Sequence, residues 1–450
     1  MSYAAAIDQL NAMVPELHTP TGKPRRKFSL DEVRVLLHAL GDPQLKFPSV
    51  LIAGTNGKGS TAATLASILT ASGLRTGLYT SPHLEKANER IRLNRAEIGD
   101  DDFAALYFRV HDAADALLAA GELPQPPSYF EILTAQAFLW FAEQKVNITV
   151  LEVGMGGRLD ATNVVDPLIS VITDISLDHM EWLGSTVSAI AREKAGILRR
   201  SGTLVTLPQH PEANQALGEV AMDLGVRGVS AVPYMPSVAR EVNGPYLVNA
   251  LGSGLMVDSP LHGAHQHRNL ALAIGAAVEL ASQHGLPITA STIEEGVRTT
   301  RWPGRLERIT RGGAEWILDV AHNPAGAWAL RAGLSGAWSE EHPRCLIFSC
   351  LRDKPVAEMA QILFPLFDEV ILAPIHAARG SALEDLLAAA KTTGAKATVA
   401  QSVRDALGLA MQRARGGTIV VSGSVYLVGE ARSLLFDARS MLLAEGDGQQ

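Results

Sequence analysis

The sequence predicts an α/β fold in two domains. Residues 1–298 form a larger domain on a mostly parallel sheet with a small antiparallel annex, and residues 299–450 form a smaller α/β domain. Three observations carry this. From Pro48 onward, short apolar runs alternate with amphipathic helical stretches, the pattern of βαβ units. Between residues 225 and 262 the texture changes to short strands set between turn residues. At Arg301-Trp302-Pro303-Gly304-Arg305 a turn-rich break interrupts the chain, and a new alternating series starts behind it.

Residues 1–48 read as a helix, a basic polar stretch (Lys23-Pro24-Arg25-Arg26-Lys27) and a second helix. The second helix starts at Ser29, with Glu32 three residues on and Val33, Val35, Leu36 and Leu37 behind it. A hydroxyl at the cap and an acid at the third position each satisfy an otherwise free N–H group. Ser49–Ala53, Ile148–Val153 and Leu168–Ile172 are short apolar runs, as strands buried on both faces are. Val229–Tyr234, Tyr246–Val248 and Gly254–Val257 make up the annex, and helical sequence returns at His267–Gln283. Beyond the break, Glu315–Val320, Cys345–Ser349, Val370–Pro374, Thr398–Gln401 and Thr418–Ser422 are strands with helices between them. There is no internal repeat and no low-complexity tract.

At about 150 residues per domain, 450 residues admit two to three domains. Hydrophobic residues make up 47% and charged ones 19%, which excludes disorder as the main state. A net charge of −8 and a pI of 5.9 argue against a general nucleic-acid binder. Cys345 and Cys350 cannot make a disulfide framework and fit a reducing compartment. No apolar run reaches the roughly 18 residues of a membrane span. Met1–Asp8 lacks a basic n-region and meets an acid before an apolar stretch could form. The expectation is a cytoplasmic protein with neither nucleic acid nor membrane as partner.

Strand Ser49–Ala53 runs into Gly54-Thr55-Asn56-Gly57-Lys58-Gly59-Ser60-Thr61 and then a helix, Ala62–Ala71. Glycines let backbone N–H groups turn inward on an anion. A helix start adds free donors and a positive dipole end, and Lys58 adds a full charge. Ser60 is placed to bring its hydroxyl to Mg²⁺. Strand, glycine loop and helix stand in the order of a P-loop NTPase-like domain, but the strict pattern is not met. Ile52 stands where its first Gly belongs, and Gly59 separates Lys58 from Ser60. The competing reading is a glycine-rich turn with no ligand, and against it stands Lys58, which has little structural use in so tight a turn.

Glu152 closes an apolar strand just before Gly154-Met155-Gly156-Gly157-Arg158-Leu159-Asp160. An acid at the carboxyl end of a parallel strand sits where such sheets bind ligands, and it can hold Mg²⁺ by oxygen. Asp178-His179 follows the next strand. His179 favours a softer metal or a supporting place, and a capping role is open for both residues. Lys194 on its own reads as a solvated helix charge. His262, His265 and His267 crowd one segment, but no cysteine or further close histidine completes a zinc site, so a loop leading into a helix is preferred. In the second domain Asp319 and His322 end a strand, Pro324 favours a helix start behind them, and Ser422-Gly423-Ser424 ends the last strand in the same way. Polar groups at strand ends in both domains point to a cleft site, with ATP phosphates on one side and an acceptor on the other.

The ordered set Gly54–Ser60, Ser81-Pro82-His83-Leu84, Glu152–Asn163, Asp178-His179, Glu193-Lys194-Ala195-Gly196-Ile197 and Ala321-His322-Asn323-Pro324 resembles that of folylpolyglutamate synthase and the bifunctional bacterial dihydrofolate synthases of the Mur ligase superfamily. The resemblance spans residues 20 to 430, and the additional Gly59 is similar to the folate branch. It implies a P-loop-type first domain, a Rossmann-like second domain and ATP-dependent amide formation. A substrate carboxylate would take the γ-phosphoryl group of ATP, and the amino group of L-glutamate would then displace phosphate. Catalysis of this kind is mainly positioning and charge neutralisation.

The resemblance also implies roles. Lys58 would contact the β- and γ-phosphates within an ATP-binding set of Thr55, Asn56, Gly57, Lys58, Gly59 and Ser60. Ser60, Ser81 and Glu152 would surround a first Mg²⁺, and His179 with Lys194 would hold a second. In this family the matching lysine is carbamylated by CO₂, which turns a cation into an oxygen-bearing anion suited to a hard metal. Asn269 resembles the adenine-side contact, and Arg305 and Asp319 resemble the second domain's ATP contacts. His322 and Ser424 match positions near the acceptor. Lys58, His179, Lys194 and His322 are the catalytic candidates. Ser128, Phe130, Asp160 and Ala161 resemble the dihydropteroate pocket. Phe130 would stack on a flat heterocycle there, with a core aromatic as the alternative. Stretch 23–27 reads as a solvated loop, with a place near the folate entrance as the other reading. The family implies a monomer.

Val320 departs from the family pattern, which has Gly there: at φ > 0 Val is strained, and at an extended strand end it fits better than Gly. The acceptor stays open between dihydropteroate, reduced folates and both. A Mur-type ligase acting on a nucleotide-linked muramyl substrate is one competing reading. The 48 residues ahead of the phosphate-loop strand offer no obvious extra domain for such a substrate. A nucleotide-dependent switch is another, against which the second domain with Asp319 and His322 argues.

Overall fold

The computed structural model describes residues 2–13, 29–237, 244–335, 342–377 and 379–437; the basic stretch 23–27 lies outside them. The first sheet has eight strands: β1 (Ser49–Ala53), β2 (Thr76–Tyr79), β3 (Ile91–Leu93), β4 (Ala96–Glu97), β5 (Ile148–Glu152), β6 (Ile169–Ile172), β7 (Thr203–Thr206) and β8 (Arg227–Ser230). Their order is β4-β3-β2-β5-β1-β6-β7-β8. Neighbours from β2 to β8 are parallel, and β3 and β4 add an antiparallel edge.

Alternate side chains of these strands serve two cores. Val50, Ile52, Val150 and Val171 pack under the helices Lys58–Ala71, Ala264–His284 and Ala290–Arg298. Leu51, Ala53, Leu151 and Ile172 pack under Leu30–Ala39, Asp100–Ala119, Tyr129–Glu143 and Val187–Ala195. Cover on both faces is why these strands read as unbroken apolar runs. β5 and β6 flank β1, with Ile52 opposite both Glu152 and Val171. The carboxyl ends of three central strands thus lie side by side, where the chain crosses from one side of β1 to the other.

The annex is a two-stranded hairpin, β9 (Tyr246–Ala250) and β10 (Ser253–Val257), turned at Leu251 and Gly252, both at positive φ. Val229–Tyr234 is not part of it, which corrects the sequence reading. β8 instead runs parallel to β7, because the helix Pro211–Leu224 carries the chain across the sheet as a crossover. The run then ends in a single 3₁₀ turn, Val232–Tyr234, containing Pro233.

The second sheet comprises β11 (Glu307–Arg311), β12 (Ala314–Leu318), β13 (Arg344–Phe348), β14 (Glu369–Leu372), β15 (Ala397–Val399) and β16 (Thr418–Ser422), in the order β11-β12-β16-β13-β14-β15. All neighbours are parallel except β11, an antiparallel edge. Leu318 pairs with Val421, so the segments after β12 and β16 emerge together, bringing Asp319–His322 beside Gly423-Ser424. Among the described residues no helix is long and apolar enough to cross a membrane.

Candidate functional site

The phosphate loop leaves β1 at Gly54. A Cβ there would run into Thr173 Oγ1, and one on Gly57 (φ +86°) would run into Asn269 Oδ1, so both positions require glycine. Thr55 N donates to Asp174 O at 2.8 Å, and Thr173 Oγ1 donates to Asn56 O at 2.7 Å, which pins the loop to the end of β6. The helix starts at Lys58, four residues earlier than the sequence suggested, and Gly57 at its cap has no side chain to occupy the first-turn N–H groups. Those donors and the dipole therefore face the loop's concave side. Lys58 Nζ donates to Thr55 O at 3.1 Å, and Ser60 is buried in the first turn. Gly59 has its own reason: a Cβ there would lie 2.9 Å from the ring of Trp302, a wedge from the interdomain break.

These groups line a cavity of about 500 Å³ between the strand ends of the two sheets, together with Ser81, Glu152, His179, Lys194, Arg305 and His322. Glu152 Oε2 accepts from Ser81 N at 3.1 Å. Burial pushes its carboxyl up, opposed by the charge of Lys58. Lys194 is buried on the helix Val187–Ala195 and donates to Gly54 O at 2.7 Å, so it is not the solvated charge it resembled in isolation. Burial, aided by Lys58, pushes its ammonium down to about 7. His179 sits at φ +49° and caps the short helix Met180–Leu183; burial holds its imidazole down to about 4.

Asn269 Nδ2 donates to Gln266 Oε1 at 2.8 Å, and the residue packs on Gly57. Asp319 spends its two oxygens on Leu306 N and Ala321 N, both at 2.9 Å. Val320 is not among the positive-φ residues and donates its N–H to Gly304 O at 3.0 Å, so valine is unstrained there.

Phe130, Asp160 and Ala161 meet in a second cavity of about 110 Å³ with Trp182 on its wall. Met155, Gly156 and Leu183 line both this cavity and the large one. Phe130 also packs in the core against Tyr79, centroids 5.7 Å apart, so the two readings of Phe130 coexist. Asp160 is buried, and its oxygens accept from Met155 N and Thr162 N at 3.0 Å and from Thr162 Oγ1 at 2.5 Å, which fixes the loop after β5. Ser128 does not reach this cavity's lining. It caps the helix Tyr129–Glu143, its Oγ accepting from Glu131 N at 3.3 Å.

Ser424 lies elsewhere, in a third cavity of about 220 Å³ with Lys354 and Arg379, and His179, Arg305 and His322 line both it and the large cavity. Ser424 Oγ caps the helix Val425–Phe436 by accepting from Tyr426 N. His322 Nδ1 lies 2.9 Å from Val320 O, which makes Nδ1 the protonated nitrogen and leaves the Nε2 lone pair free. Burial, then the Lys354 charge, pushes this imidazole down to about 4.

Sequence reasoning missed Asn323, Lys354, Trp302 and Trp182. Asn323 had a signal, an Asn directly before Pro at a helix start. Lys354, after β13, had none. Of the crowded histidines, His262 precedes the helix Ala264–His284 and the other two lie in its first turn; among the described residues no three His, Cys, Asp or Glu converge as a metal cluster.

Two family models match the chain: the Mur ligase middle domain over residues 52–277, and the Mur ligase glutamate ligase domain over residues 304–425. The chain is 34% identical to a folylpolyglutamate synthase of Lacticaseibacillus casei, covering 98% of this chain and all of that one. It is 36% identical to a dihydrofolate synthase/folylpolyglutamate synthase of Mycobacterium tuberculosis, with 90% of each covered. Among solved structures it is similar to a Mycobacterium tuberculosis folylpolyglutamate synthase complexed with ADP and AMPPCP, with a TM-score of 0.86, 32% identity, and 96% of this chain and 99% of that one covered.

Proposed function

The chain belongs to the Mur ligase family, among its folylpolyglutamate and dihydrofolate synthases, and from that premise we propose how three linked cavities carry the ATP-dependent ligation of L-glutamate to a folate. The observation that carries the proposal is the linkage itself. The phosphate-loop cavity shares walls with the aromatic Phe130 cavity on one side and with the cationic Ser424 cavity on the other. ATP lies in the first, the pteridine of the acceptor in the second, and L-glutamate in the third. Residues 1–298 form the ATP-binding unit and 299–450 the glutamate-ligase unit.

In the first step an acceptor carboxylate oxygen attacks the γ-phosphorus and ADP leaves, giving an acyl phosphate. Lys58 and the first-turn N–H groups neutralise the phosphates, and Arg305, whose Nη1 donates to Gly304 O at 3.1 Å, adds charge from the second domain. In the second step the glutamate nitrogen attacks the acyl carbon, and phosphate departs carrying one of the original carboxylate oxygens. Glutamate reacts as its free amine, and His322 accepts on Nε2 the proton that this nitrogen sheds as the C–N bond forms and the nitrogen becomes strongly acidic; Asp178, 3.8 Å away, stabilises the imidazolium. Ser424 and Arg379 hold glutamate carboxylates, because Lys354 Nζ is tied to Asp178 at 2.6 Å whereas Arg379 makes only a loose ion pair with Asp353 at 3.6 Å.

Ser60, Ser81 and Glu152 offer only oxygen, a donor set that suits Mg²⁺ and leaves positions for water and phosphate oxygens. When bound, Mg²⁺ supplies charge neutralisation on the transferred phosphoryl group. Lys194 as an ammonium does not fit a metal. With its pKa near 7 it is half unprotonated at neutral pH, the form that reacts with CO₂. Carbamylated, Lys194 would offer oxygen in the cavity that His179 also lines, and the two would hold a second Mg²⁺. The enzyme acts as a monomer, since one chain supplies all three cavities. The buried unpaired Cys345 and Cys350 support a cytoplasmic setting.

Both acceptors are used. Glutamate-dependent ADP release is expected with dihydropteroate and with tetrahydrofolate, and release with neither by folded protein overturns the reading. Phe130→Leu removes an aromatic contact with little loss of volume, a change of about 1 kcal/mol in stacking. It should raise KM for dihydropteroate about fivefold and leave KM for ATP unchanged in steady-state kinetics. An unchanged dihydropteroate KM would make Phe130 a core residue only.

A further inference from the structure

Asn323 is 1% exposed and stands at the entrance to the second domain's first long helix, Pro324–Leu334. Its Oδ1 accepts from Gly326 N at 2.8 Å, an ordinary helix cap. Its Nδ2 points the other way, across the cleft. It donates to Asn56 Oδ1 in the phosphate loop at 3.0 Å and to Asp178 Oδ2 at 3.1 Å. Asn56 Nδ2 returns a long bond to Asn323 Oδ1 at 3.4 Å. Asp178 is gripped a second time from the second domain, by Lys354 Nζ at 2.6 Å, and its Oδ1 also accepts from His179 N at 2.9 Å. One buried amide thus joins the loop of Lys58, the loop of His179 and the segment of His322.

We infer that Asn323 is a positioning residue: its amide clamps the glutamate-ligase domain onto Asp178 and the phosphate loop, so that the acyl phosphate and the incoming glutamate amine meet. Asp178 is the post of this clamp, with Lys354 as the second arm. The geometry supports it, because the half-buried Asn56 and Asp178 both bond from the first domain to the one buried amide of Asn323. A side chain serving only as a helix cap needs an acceptor and no donor. The donor half of Asn323 is unused by the helix and wholly engaged by the other domain. The consequence for ligation rests on the functional reading above; the clamp itself does not.

Asn323→Asp separates the two halves. Aspartate caps as well as asparagine, but it replaces the donor by an anion facing Asp178. Hydrogen exchange read by mass spectrometry should quicken at least about tenfold in peptides covering 54–57 and 176–181, while the helix Pro324–Leu334 keeps its protection. Ligation should fall about a hundredfold, with the melting temperature near that of the wild type. The double variant Asp178→Asn/Asn323→Asp swaps donor and acceptor and keeps one anion within reach of Lys354. In that variant, exchange in the peptide covering 176–181 should return to near the wild-type rate, a coupling that independent sites do not show. If Asn323→Asp is unstable, Asn323→Ser keeps a cap oxygen, loses the amide donor and should show the same exchange pattern. Unchanged exchange in both loops overturns the inference whatever the activity, and so does a double variant no better than the single one. Faster exchange in a protein whose wild type releases no glutamate-dependent ADP would uphold the clamp and sink the functional reading instead.

Discussion

Lys58→Ala abolishes glutamate-dependent ADP release, with a loss of at least about a thousandfold, the range seen when a cation facing a transferred phosphoryl group is removed. The variant still folds. Lys58 is partly exposed to the cavity, and its Nζ donates a hydrogen bond to Thr55 O at 3.1 Å within its own loop. Loop shape depends instead on Gly54, Gly57 and the bonds to Asp174 and Thr173, none of which the substitution touches. Loss at such a site is within roughly 0.5 kcal/mol of neutral for stability. Turnover measured beside a thermal melt checks both halves. Ligation at the wild-type rate by Lys58→Ala would remove the phosphate loop from the mechanism.

Lys194→Ala loses activity about a hundredfold or more, and formate or acetate restores part of it. The side chain is 3% exposed, so an ammonium there is held at a cost, and burial brings its pKa to about 7. Below that value the lysine is mostly protonated and unreactive toward CO₂; above it the free amine predominates. Wild-type activity should therefore fall as pH drops from 8 to 6, and added bicarbonate should offset part of the fall. The linkage has the opposite sign from that of a paired lysine. Between about 7 and the unfolded value of 10.5, the folded chain binds fewer protons than the unfolded one, so this group's contribution to stability rises with pH across that window. The substitution also leaves the Gly54 carbonyl without its donor at 2.7 Å, a loss of about 1–3 kcal/mol in stability. Chemical rescue separates the two effects, since a carboxylate in the vacated space would stand in for the oxygens of the proposed carbamate but would not repair the lost N–H donor. Full activity without rescue would leave Lys194 as a structural donor to the loop.

Much of this was legible locally. Ser29 caps its helix through Asp31 N at 3.2 Å, as the run of cap, acid and apolar residues implied. The phosphate loop was legible because glycine at φ +86° and a Lys at a helix start leave a pattern in one short segment. Strand ends bearing Glu152, Asp178, Asp319 and His322 were legible for the same reason. What failed was long-range. The partner of β8 depends on where the helix Pro211–Leu224 delivers the chain, which composition does not encode. Lys354 lies 176 residues from Asp178, and Asn323 lies 267 from Asn56. The third helix-capping serine of interest, Ser424, went with the acceptor candidates in sequence, but the topology puts it in a different cavity from Phe130. The hairpin joining β3 to β4 was also hidden, because Asn94 and Arg95 occupy its two positive-φ positions where glycine would have marked the second.

The acceptor carboxylate as phosphoryl acceptor is the centre of the account, and isotope transfer tests it most directly. Dihydropteroate carrying ¹⁸O in its carboxylate is incubated with protein, Mg-ATP and L-glutamate, and the released phosphate is read by mass spectrometry. One ¹⁸O per amide formed should appear in the phosphate, because the oxygen that attacked the γ-phosphorus leaves with it. Amide formation accompanied by unlabelled phosphate would contradict the acyl phosphate and the assignment of roles built on it.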